Sequence, residues 1–572
     1  MSVSQMLRKA SKLAKAGKSD EAKAIYQTIL DKFPNNKDAQ KGVQGLQPQP
    51  AKSSGPSQGQ LNQLLALYNA QKFQETVDMG RHLLAEYPNA YLVHNILGAV
   101  HLDTGHYIPA MNYFQKVVTL NPNYAEGYNN LGAVFHKLRA PDQAIDAYEK
   151  AIALDPKYAQ AHSNRNFELN YTTKQLPKQI YEKHMEYEAR FGGIANQMKH
   201  APRALNDRPL RVGYVSPDFN THSVAFFFEP LLAAHDGQQV ETFCYYCDTK
   251  VDETTKRLQH LSNHWRDVTV MDDAAMAKVI AQDQIDILVD LAGHSAKSRV
   301  AVFARKPAPI QVAWLGYPNT TGLKAVDYRF TDIIADPLGE ADETHSEELI
   351  RLEGGIWCYT GGEDAPAPAT ATSGPVTFGS FNHMSKLSPD VIGLWAQVLK
   401  AVPESRLLLK HLQLGHAVTR DTVVKQFGAH GITPDRLDLH AKLPKRADHL
   451  ALYGKVDIGL DPFPFNGCTT TFEALWMGVP VIALRGQTHV ARVGASILRH
   501  LGHSELLAEN AEDYIKIATD LAADAPRRTK YRAELRDAIK ASPLGDTDGF
   551  ARKVEASYKA MWAKFASTGD QG

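Results

Sequence analysis

Three prolines, Pro88, Pro122 and Pro156, stand 34 residues apart, and each closes the same pattern of two helical stretches. A helix pair of that size cannot bury its apolar face alone, so the front of the chain must fold as a stacked array rather than as a globular domain. In the register that puts the proline at position 32, Gly98 and Gly132 fall at position 8, Ala110 and Ala144 at position 20, and Phe114 and Tyr148 at position 24. The small residues let two helices approach closely, and the aromatic rings fill the space beside them.

That period and pattern point to tetratricopeptide repeats. An earlier unit with Gly17, Ala22, Tyr26, Ile29 and Pro34 fits the second-helix half of the pattern but sits 20 residues out of phase. The stretch QPQPAKSSGPSQGQ, residues 47–60, supplies the slip; its Pro, Gly, Ser and Gln content cannot form a packed core and reads as a flexible linker. After Pro156, HSNRNFELNY starts a further first helix whose partner has degenerated, as in a terminal capping unit. Stacked helix pairs form a concave groove suited to extended peptide, and Asn95, Asn129, Asn130 and Asn164 lie near the positions that line it. Their amides would bind a peptide backbone, or they are simply solvated helix-surface residues.

At 572 residues the chain has room for several domains. Lys plus Arg and Asp plus Glu both number 63, so no global charge argues for nucleic acid or an anionic membrane. The N-terminus lacks the apolar core of a signal peptide, and no run of eighteen apolar residues occurs. There are four cysteines; Cys244 and Cys247 lie in the apolar run FCYYC, with no second Cys or His pair at zinc-finger spacing. Positions three apart on a strand face opposite sides, so core packing is expected there rather than a shared metal. A reducing cytoplasm fits this cysteine usage.

From residue 208 the texture changes to short β-branched and aromatic runs, RPLRVGYVS, VETFCYYC, WRDVTVM, IDILVDLAG and IQVAWLG, several separated by stretches with helical potential. This alternation predicts an α/β lobe with a largely parallel sheet. GGEDAPAPATATSG then breaks the pattern, and a second α/β unit follows from PVTFGSFN to VIALRG. In the final segment Phe550, Val554, Tyr558 and Trp562 recur every fourth residue, one apolar helical face that must pack on something. The expected organisation is helices over 1–46, linker over 47–60, repeat array with capping helices over 61–200, first lobe over 201–360, interlobe linker over 361–374, second, nucleotide-binding lobe over 375–542, and a terminal helix over 543–572 returning to the first lobe.

The chemistry gathers where strands end. DIGLD reads as a strand, PFPFNG as a loop, TTTFEALWMG as a helix and VPVIAL as the next strand. Asn466, Gly467 and Cys468 deliver the chain to a helix opening on Thr469 and Thr470, whose first-turn N–H groups, dipole and hydroxyls make a site for a diphosphate. Glu473 shares that helical face and would accept from two ribose hydroxyls. Alternatively, Thr469 only caps the helix and Glu473 completes the capping arrangement. His383 and Lys386 follow the first strand of the second lobe, where a lysine would neutralise a departing nucleotide unless it is simply a surface residue. Lys445 and His449 sit between a strand and a helix. In the first lobe His222 follows a strand that ends at Ser216, placed either as base or hydrogen-bond partner in the interlobe cleft or as a structural loop residue.

GYVSPDFNTHSVAFF, PAPIQVAWLGYPNTTG, GSFNHMSKLSP and FNGCTTTFEALWMGVPVI, in that order behind the repeats, resemble the O-GlcNAc transferase family, and within it a compact bacterial homologue. The resemblance runs over nearly the whole chain. It implies a multidomain protein, an N-terminal all-α tetratricopeptide superhelix followed by an α/β GT-B glycosyltransferase of two Rossmann-like lobes. It implies transfer of GlcNAc, with inversion, from UDP-GlcNAc or a related UDP-sugar to Ser/Thr hydroxyls of protein or peptide acceptors held by the repeat groove, with no cofactor and no obligatory metal. His222 then matches a histidine once proposed as base and now often given a supporting role, and Lys386 the lysine on the diphosphate. Leu443, Lys445 and His449 match the nucleotide-sugar contacts, the last two flanking the uridine, although the loop from Pro444 to His449 is one residue longer here. Thr469 and Thr470 match the phosphate-binding threonines, and Glu473 replaces an aspartate on the ribose. His383 and Cys468 stand where animal enzymes carry glutamine and histidine, so an altered donor preference stays open, as do an asparagine-linked transferase of the same superfamily and a nucleotide-binding scaffold without turnover. The lone D-x-D match, Asp546-Thr547-Asp548, lies outside either lobe, consistent with metal-free chemistry. The acceptor's proton would go to His222, to an acid such as Asp283 or Asp290, or to a donor phosphate oxygen.

Overall fold

Helix pairs account for the first third of the chain. In the computed structural model, residues 1–46, 55–193, 197–201, 208–362, 365–369 and 374–567 are described. They divide into two compact units, residues 1–104 with 119–121, and residues 105–118 with 122–572.

The first unit is all helical. Val3–Lys15 packs on Ser19–Lys32, and Lys37–Gly45 closes a small core of Ala10, Ala22, Tyr26, Ile29 and Ala39. Part of the expected linker, residues 47–54, lies outside the described residues, but its end is helical. Ser57 accepts from the Gln60 N–H while the Gln60 side chain accepts from the Ser57 N–H, a capping box that starts the helix Gln58–Asn69. Phe73–Glu86 and Tyr91–Asp103 complete the unit. Gly80 is needed where they meet, because a Cβ there would lie 2.6 Å from Leu97.

The second unit begins with the helix Tyr107–Leu120, nearly all of it within this unit, and the pair Ala125–Lys137 and Pro141–Leu154. A Cβ on Gly132 would lie 2.5 Å from the Tyr148 ring, which is the physical content of the glycine and aromatic positions of the repeat. Ala159–Glu168 follows, and its partner helix is present rather than degenerate: Pro177–Tyr187 buries Ile180, His184 and Tyr187. Two of those three are polar-tipped residues, so the stretch carries a weak apolar period.

Then come two parallel sheets, the two Rossmann-like lobes of a GT-B arrangement. The first has β1 (Leu210–Ser216), β2 (Val240–Tyr246), β3 (His264–Asp267), β4 (Ile287–Asp290), β5 (Ile310–Ala313), β6 (Tyr328–Thr331) and β7 (Glu348–Arg351), in the order β3-β2-β1-β4-β5-β6-β7. The second has β8 (Thr377–Ser380), β9 (Arg406–Lys410), β10 (Leu437–His440), β11 (Ile458–Leu460), β12 (Val481–Leu484) and β13 (Leu507–Ala508), in the order β10-β9-β8-β11-β12-β13. Helices cover both faces, so the central strands read as continuous apolar runs; β4, ILVD, is buried throughout. Parts of the interlobe segment, residues 363–364 and 370–373, lie outside the described residues.

The helix Thr547–Ser567 leaves the second lobe and packs on the helix Ser223–Ala234 of the first. Phe550, Val554, Tyr558 and Trp562 are all buried; the Tyr558 and Tyr214 hydroxyls meet at 3.2 Å, and Glu555 accepts from His235 Nδ1 at 3.0 Å and from the Asp236 N–H at 2.9 Å. All four cysteines are free, and Cys244 and Cys247 lie buried in the core at the end of β2. Among the described residues no helix is long and apolar enough to cross a membrane.

Candidate active site

Strand order in the second sheet reverses between β8 and β11, and doubly wound sheets bind ligands in the crevice outside the carboxyl ends at such a reversal. The chain leaving β8 passes Asn382 and His383 into a single 3-10 turn, Met384–Lys386; the chain leaving β11 passes Asp461 and Asn466 into the helix Thr469–Trp476. Both candidate phosphate-binding segments therefore come from the two strands that flank the crevice.

No side chain caps the helix Thr469–Trp476: its N-cap residue is Cys468, and the capping role considered for Thr469 is not what the structure has. Its first-turn N–H groups and the positive end of its dipole lie at the crevice with no side-chain cap. Lys386 lies opposite. Its Nζ donates to the Asn466 carbonyl oxygen at 2.7 Å and, at 3.4 Å, to Asn382 Oδ1, and stands 4.3 Å from the Phe465 ring centre. Asn382 Oδ1 also accepts from the Thr470 hydroxyl at 3.0 Å, so one amide oxygen ties the lysine to the threonine turn. Beneath them Asp461 accepts the Gly467 N–H at 2.7 Å and the Thr471 hydroxyl at 3.4 Å.

Burial sets the charges here. It pulls the Lys386 ammonium down to about 8, against the attraction of Asp461, and pushes the Asp461 carboxyl up. It also pushes the Cys468 thiol up to about 12, so Cys468 stays protonated and is no nucleophile. His383 is open to solvent within a recess walled by protein; that enclosure, with His411, Lys137, His136 and Lys386 around it, keeps its ring neutral. Its Nδ1 accepts from the Ser385 N–H at 3.2 Å, which leaves its proton on Nε2 as a donor.

One turn further along the same helix Glu473 is buried and accepts from His449 Nε2 at 2.9 Å. The two expected base- and ribose-end residues thus hold one another. His449 lies within the short helix Arg446–Ala451 rather than before it, because that helix starts directly after the exposed Lys445, its N-cap. Leu443 is part-buried against the core of the lobe. Lys410, at the end of β9, feels the Glu473 carboxylate and adds a cation that the sequence reading missed.

In the first lobe His222 caps the helix Ser223–Ala234, its Nδ1 accepting from the Val224 N–H at 3.3 Å and lying 3.5 Å from Asp218. One turn on, Phe226 lies under the Arg446 guanidinium and Phe227 packs on Phe472, which carries His222 to the face of the second lobe. With Nδ1 accepting from the Val224 N–H, the ring's own N–H lies on Nε2, a donor rather than a base. The two acids considered as bases sit elsewhere or deep. Asp283, before β4, is held by Arg266 and the Tyr245 hydroxyl at the end of the sheet away from the crevice. Asp290, at the end of β4, is buried with Oδ1 accepting from the Ala292 and Gly293 N–H groups, and burial raises its carboxyl to about 6.

Of the repeat asparagines, Asn164 donates to Asn129 at 2.9 Å and accepts from Gln160 at 2.8 Å, and Asn130 is half-buried beside them in sequence. Asn95 is buried in the first unit. The sequence reading also passed over Asn382, Asp461 and Phe465; the position of Asp461 at a strand end before the glycine turn was the signal for one of them.

Comparison with known proteins agrees with this geometry. The model of glycosyl transferase family 41 matches residues 190–357 and 370–554. Tetratricopeptide repeat models match 6–36, 92–124 and 125–158. A Solanum lycopersicum protein named "Probable UDP-N-acetylglucosamine--peptide N-acetylglucosaminyltransferase SPINDLY" is 39% identical over 411 residues, 70% of this chain and 44% of its own length. An Arabidopsis thaliana protein named as the corresponding SEC enzyme, also "Probable", is 32% identical over 370 residues, 62% of this chain and 37% of its own. This chain therefore spans less than half the length of these relatives. A mutant O-GlcNAc transferase of Thermobaculum terrenum, a solved structure, is 33% identical with a TM-score of 0.82, covering 90% of this chain and 99% of that one. With more than half of its 572 residues matched by the family model, the chain belongs to glycosyl transferase family 41.

Proposed function

We propose that this protein is an inverting, UDP-sugar-dependent protein O-glycosyltransferase that moves GlcNAc from UDP-GlcNAc to Ser/Thr hydroxyls of protein acceptors. The observation that carries the reading is the uncapped N-terminus of the helix Thr469–Trp476 facing Lys386 at the switch point of the second sheet. Displacing UDP from an anomeric carbon builds negative charge on the leaving diphosphate. Lys386, the first-turn N–H groups and the Thr469 and Thr470 hydroxyls are arranged to stabilise it, and His383 Nε2 and Cys468 border the same end. Fixed donors of this kind supply the charge stabilisation without calling on a metal. Glu473 holds the ribose, and Leu443, Lys445 and His449 receive the base. His222, with its proton on Nε2, acts as a hydrogen-bond donor to the donor sugar. With Asp283 remote and Asp290 buried, the acceptor proton passes to a phosphate oxygen of the donor.

The acceptor is a protein presented along the repeats, where Asn164, bonded to the buried Asn129, keeps its second amide hydrogen for an extended backbone. Four free cysteines accord with a cytoplasmic setting. The neutral His383 and protonated Cys468 favour one second reading, a transferase with a different donor sugar. Purified protein with UDP-GlcNAc, UDP-Glc, UDP-Gal and a GDP-sugar, each with and without EDTA and a protein lysate, separates these readings. Sugar incorporation from UDP-GlcNAc that survives EDTA and vanishes in Lys386→Ala supports the assignment. Incorporation from another donor alone moves it to the second reading, and nucleotide binding without turnover on any donor makes the protein a binding scaffold.

A further inference from the structure

Lys386 is held from two sides by residues of the repeat region, on its helices and in the bend that follows Ala159–Glu168. On one side runs a hydrogen-bonded series: Glu168, on the helix Ala159–Glu168, accepts from His136 Nδ1 at 2.7 Å, and His136 Nε2, on the helix Ala125–Lys137, meets the Ser385 hydroxyl at 3.1 Å. On the other side runs a series of rings: Tyr171 lies 4.7 Å from Phe465, Phe167 lies 6.5 Å from it, and the Lys386 ammonium sits over that same Phe465 ring at 4.3 Å. His136 joins the two, packing edge-on against Tyr171 at 5.2 Å and stacking on His383 at 6.4 Å. Glu168, Tyr171 and Ser385 are all buried.

We propose that Glu168, His136 and Tyr171 are positioning residues for Lys386, so that the last repeat helices form part of the donor site rather than only a platform for the acceptor. The proposal rests on the reading of Lys386 as the lysine of the diphosphate. A single 3-10 turn has poor hydrogen-bond geometry and little stability of its own, so Met384–Lys386 needs an external fix. Ser385 is the middle residue of that turn, and its hydroxyl is tethered to His136. Glu168 fixes the tautomer: by taking the Nδ1 proton it leaves Nε2 as a lone pair that accepts the Ser385 hydroxyl. The ring series fixes the other end of the lysine, because an ammonium prefers the face of an aromatic ring whose orientation is itself locked by packing. None of the three repeat residues contacts the ligand in this scheme; each acts through Lys386 and the turn that carries it.

The test is UDP affinity, measured by calorimetry on the full chain, for wild type, His136→Phe, Ser385→Ala, Glu168→Gln, Lys386→Met and the double variant His136→Phe/Lys386→Met. His136→Phe keeps the ring packing and removes both side-chain hydrogen bonds, leaving the Ser385 hydroxyl only the 3.5 Å contact with the residue-136 carbonyl oxygen. Glu168→Gln keeps an oxygen for the Nδ1 proton and serves as the conservative rescue. We expect His136→Phe and Ser385→Ala each to weaken UDP on the order of tenfold, as small displacements of a positioning group do. Glu168→Gln should stay within about twofold of wild type, because the tautomer survives, and the double variant should be no weaker than Lys386→Met alone. Wild-type affinity in His136→Phe alongside a weakened Lys386→Met overturns this proposal and leaves the donor-site reading intact. Additive losses in the double variant, with a matching fall in melting temperature, reduce His136 to a structural residue and also overturn it. If Lys386→Met itself binds UDP normally, the donor-site reading fails, and this proposal with it.

Discussion

Lys386 carries a specific pH signature. In the free protein burial lowers its ammonium to about 8, and a bound diphosphate restores the charge by direct pairing. Through Lys386, binding therefore takes up a proton above that value. Above the range in which Asp461 and the terminal phosphate of UDP themselves titrate, UDP affinity should fall roughly tenfold per pH unit beyond about pH 8, until the bound-state value is reached. Lys386→Arg, which stays charged, should lose the pH dependence while keeping much of the affinity. Calorimetry in two buffers of different ionisation enthalpy reads the proton uptake; a flat wild-type profile to pH 10 would show that the lysine is not charge-limited. Gly467 offers a second test at this scale. A Cβ there would stand 2.7 Å from Asp461 Oδ1 and from the Thr470 and Thr471 hydroxyl oxygens, side-chain atoms that are themselves tied into the hydrogen bonds of the turn. Gly467→Ala should displace the threonine turn and cut UDP affinity by about a hundredfold, with a melting temperature near that of wild type. Unchanged affinity in that variant would mean that the turn does not touch the diphosphate.

At the scale of elements, what the sequence made legible and what it hid follow from the range of the interactions. The 34-residue period and the strand-end motifs are local patterns, and the helix pairs and the central strands β1, β2, β4, β8, β9, β11 and β12 stand where those patterns lie. The helix Pro177–Tyr187 escaped because its buried face uses His184 and Tyr187, which find partners only in tertiary contact; His184 meets the Tyr317 hydroxyl at 2.6 Å. Strand β6, YRFT, escaped for the same reason: Arg329 is buried there because loop carbonyls of Tyr317 and Asn319 accept its guanidinium. Asn382 gains its place at the site only when β8 and β11 lie side by side. The terminal helix shows the opposite case, an apolar stripe legible at once, and it yields an energetic prediction. Tyr558 is wholly buried, so Tyr558→Ala should cost about 3–5 kcal/mol. Tyr558→Phe, losing only the hydroxyl contact with Tyr214, should cost about 1 kcal/mol. Chemical denaturation distinguishes them, and equal losses would mean that the hydroxyl contact and not the ring carries the packing.

Across the molecule beyond the repeats, the two lobes are joined by a polar seam whose acid limb can be tested. Segments after β6 in the first lobe carry Asp332, Asp336 and Glu340; the second lobe answers with His489, Arg492, Ser496 and His500. His489 Nδ1 donates to Asp336 at 2.8 Å, Arg492 to Glu340 at 2.5 Å and the Ser496 hydroxyl to Asp332 at 2.7 Å, with His500 Nε2 3.7 Å from the latter carboxylate. Burial alone would raise the Asp336 carboxyl, but the charges of His489 and His345 outweigh it and hold it far below the ordinary range; Asp332, bonded to Ser496 and the Ala335 N–H and paired with His500, is lowered in the same direction. A carboxylate depressed in the folded state contributes stability that is fully present above its unfolded value, about 3.9, and is lost as pH falls from there toward the folded value. The melting temperature should accordingly be level near neutrality and drop steeply below about pH 4, where unfolding takes up the protons that the seam refuses. Asp336→Asn should lower it at pH 7, since removing one charge of a buried pair costs about 3–5 kcal/mol, and should flatten the acid limb. Scanning calorimetry of both proteins from pH 7 to pH 3 measures the two effects together. An acid limb as steep in Asp336→Asn as in wild type would place the acid sensitivity outside this seam, and leave the lobes held by their apolar contacts and the terminal helix.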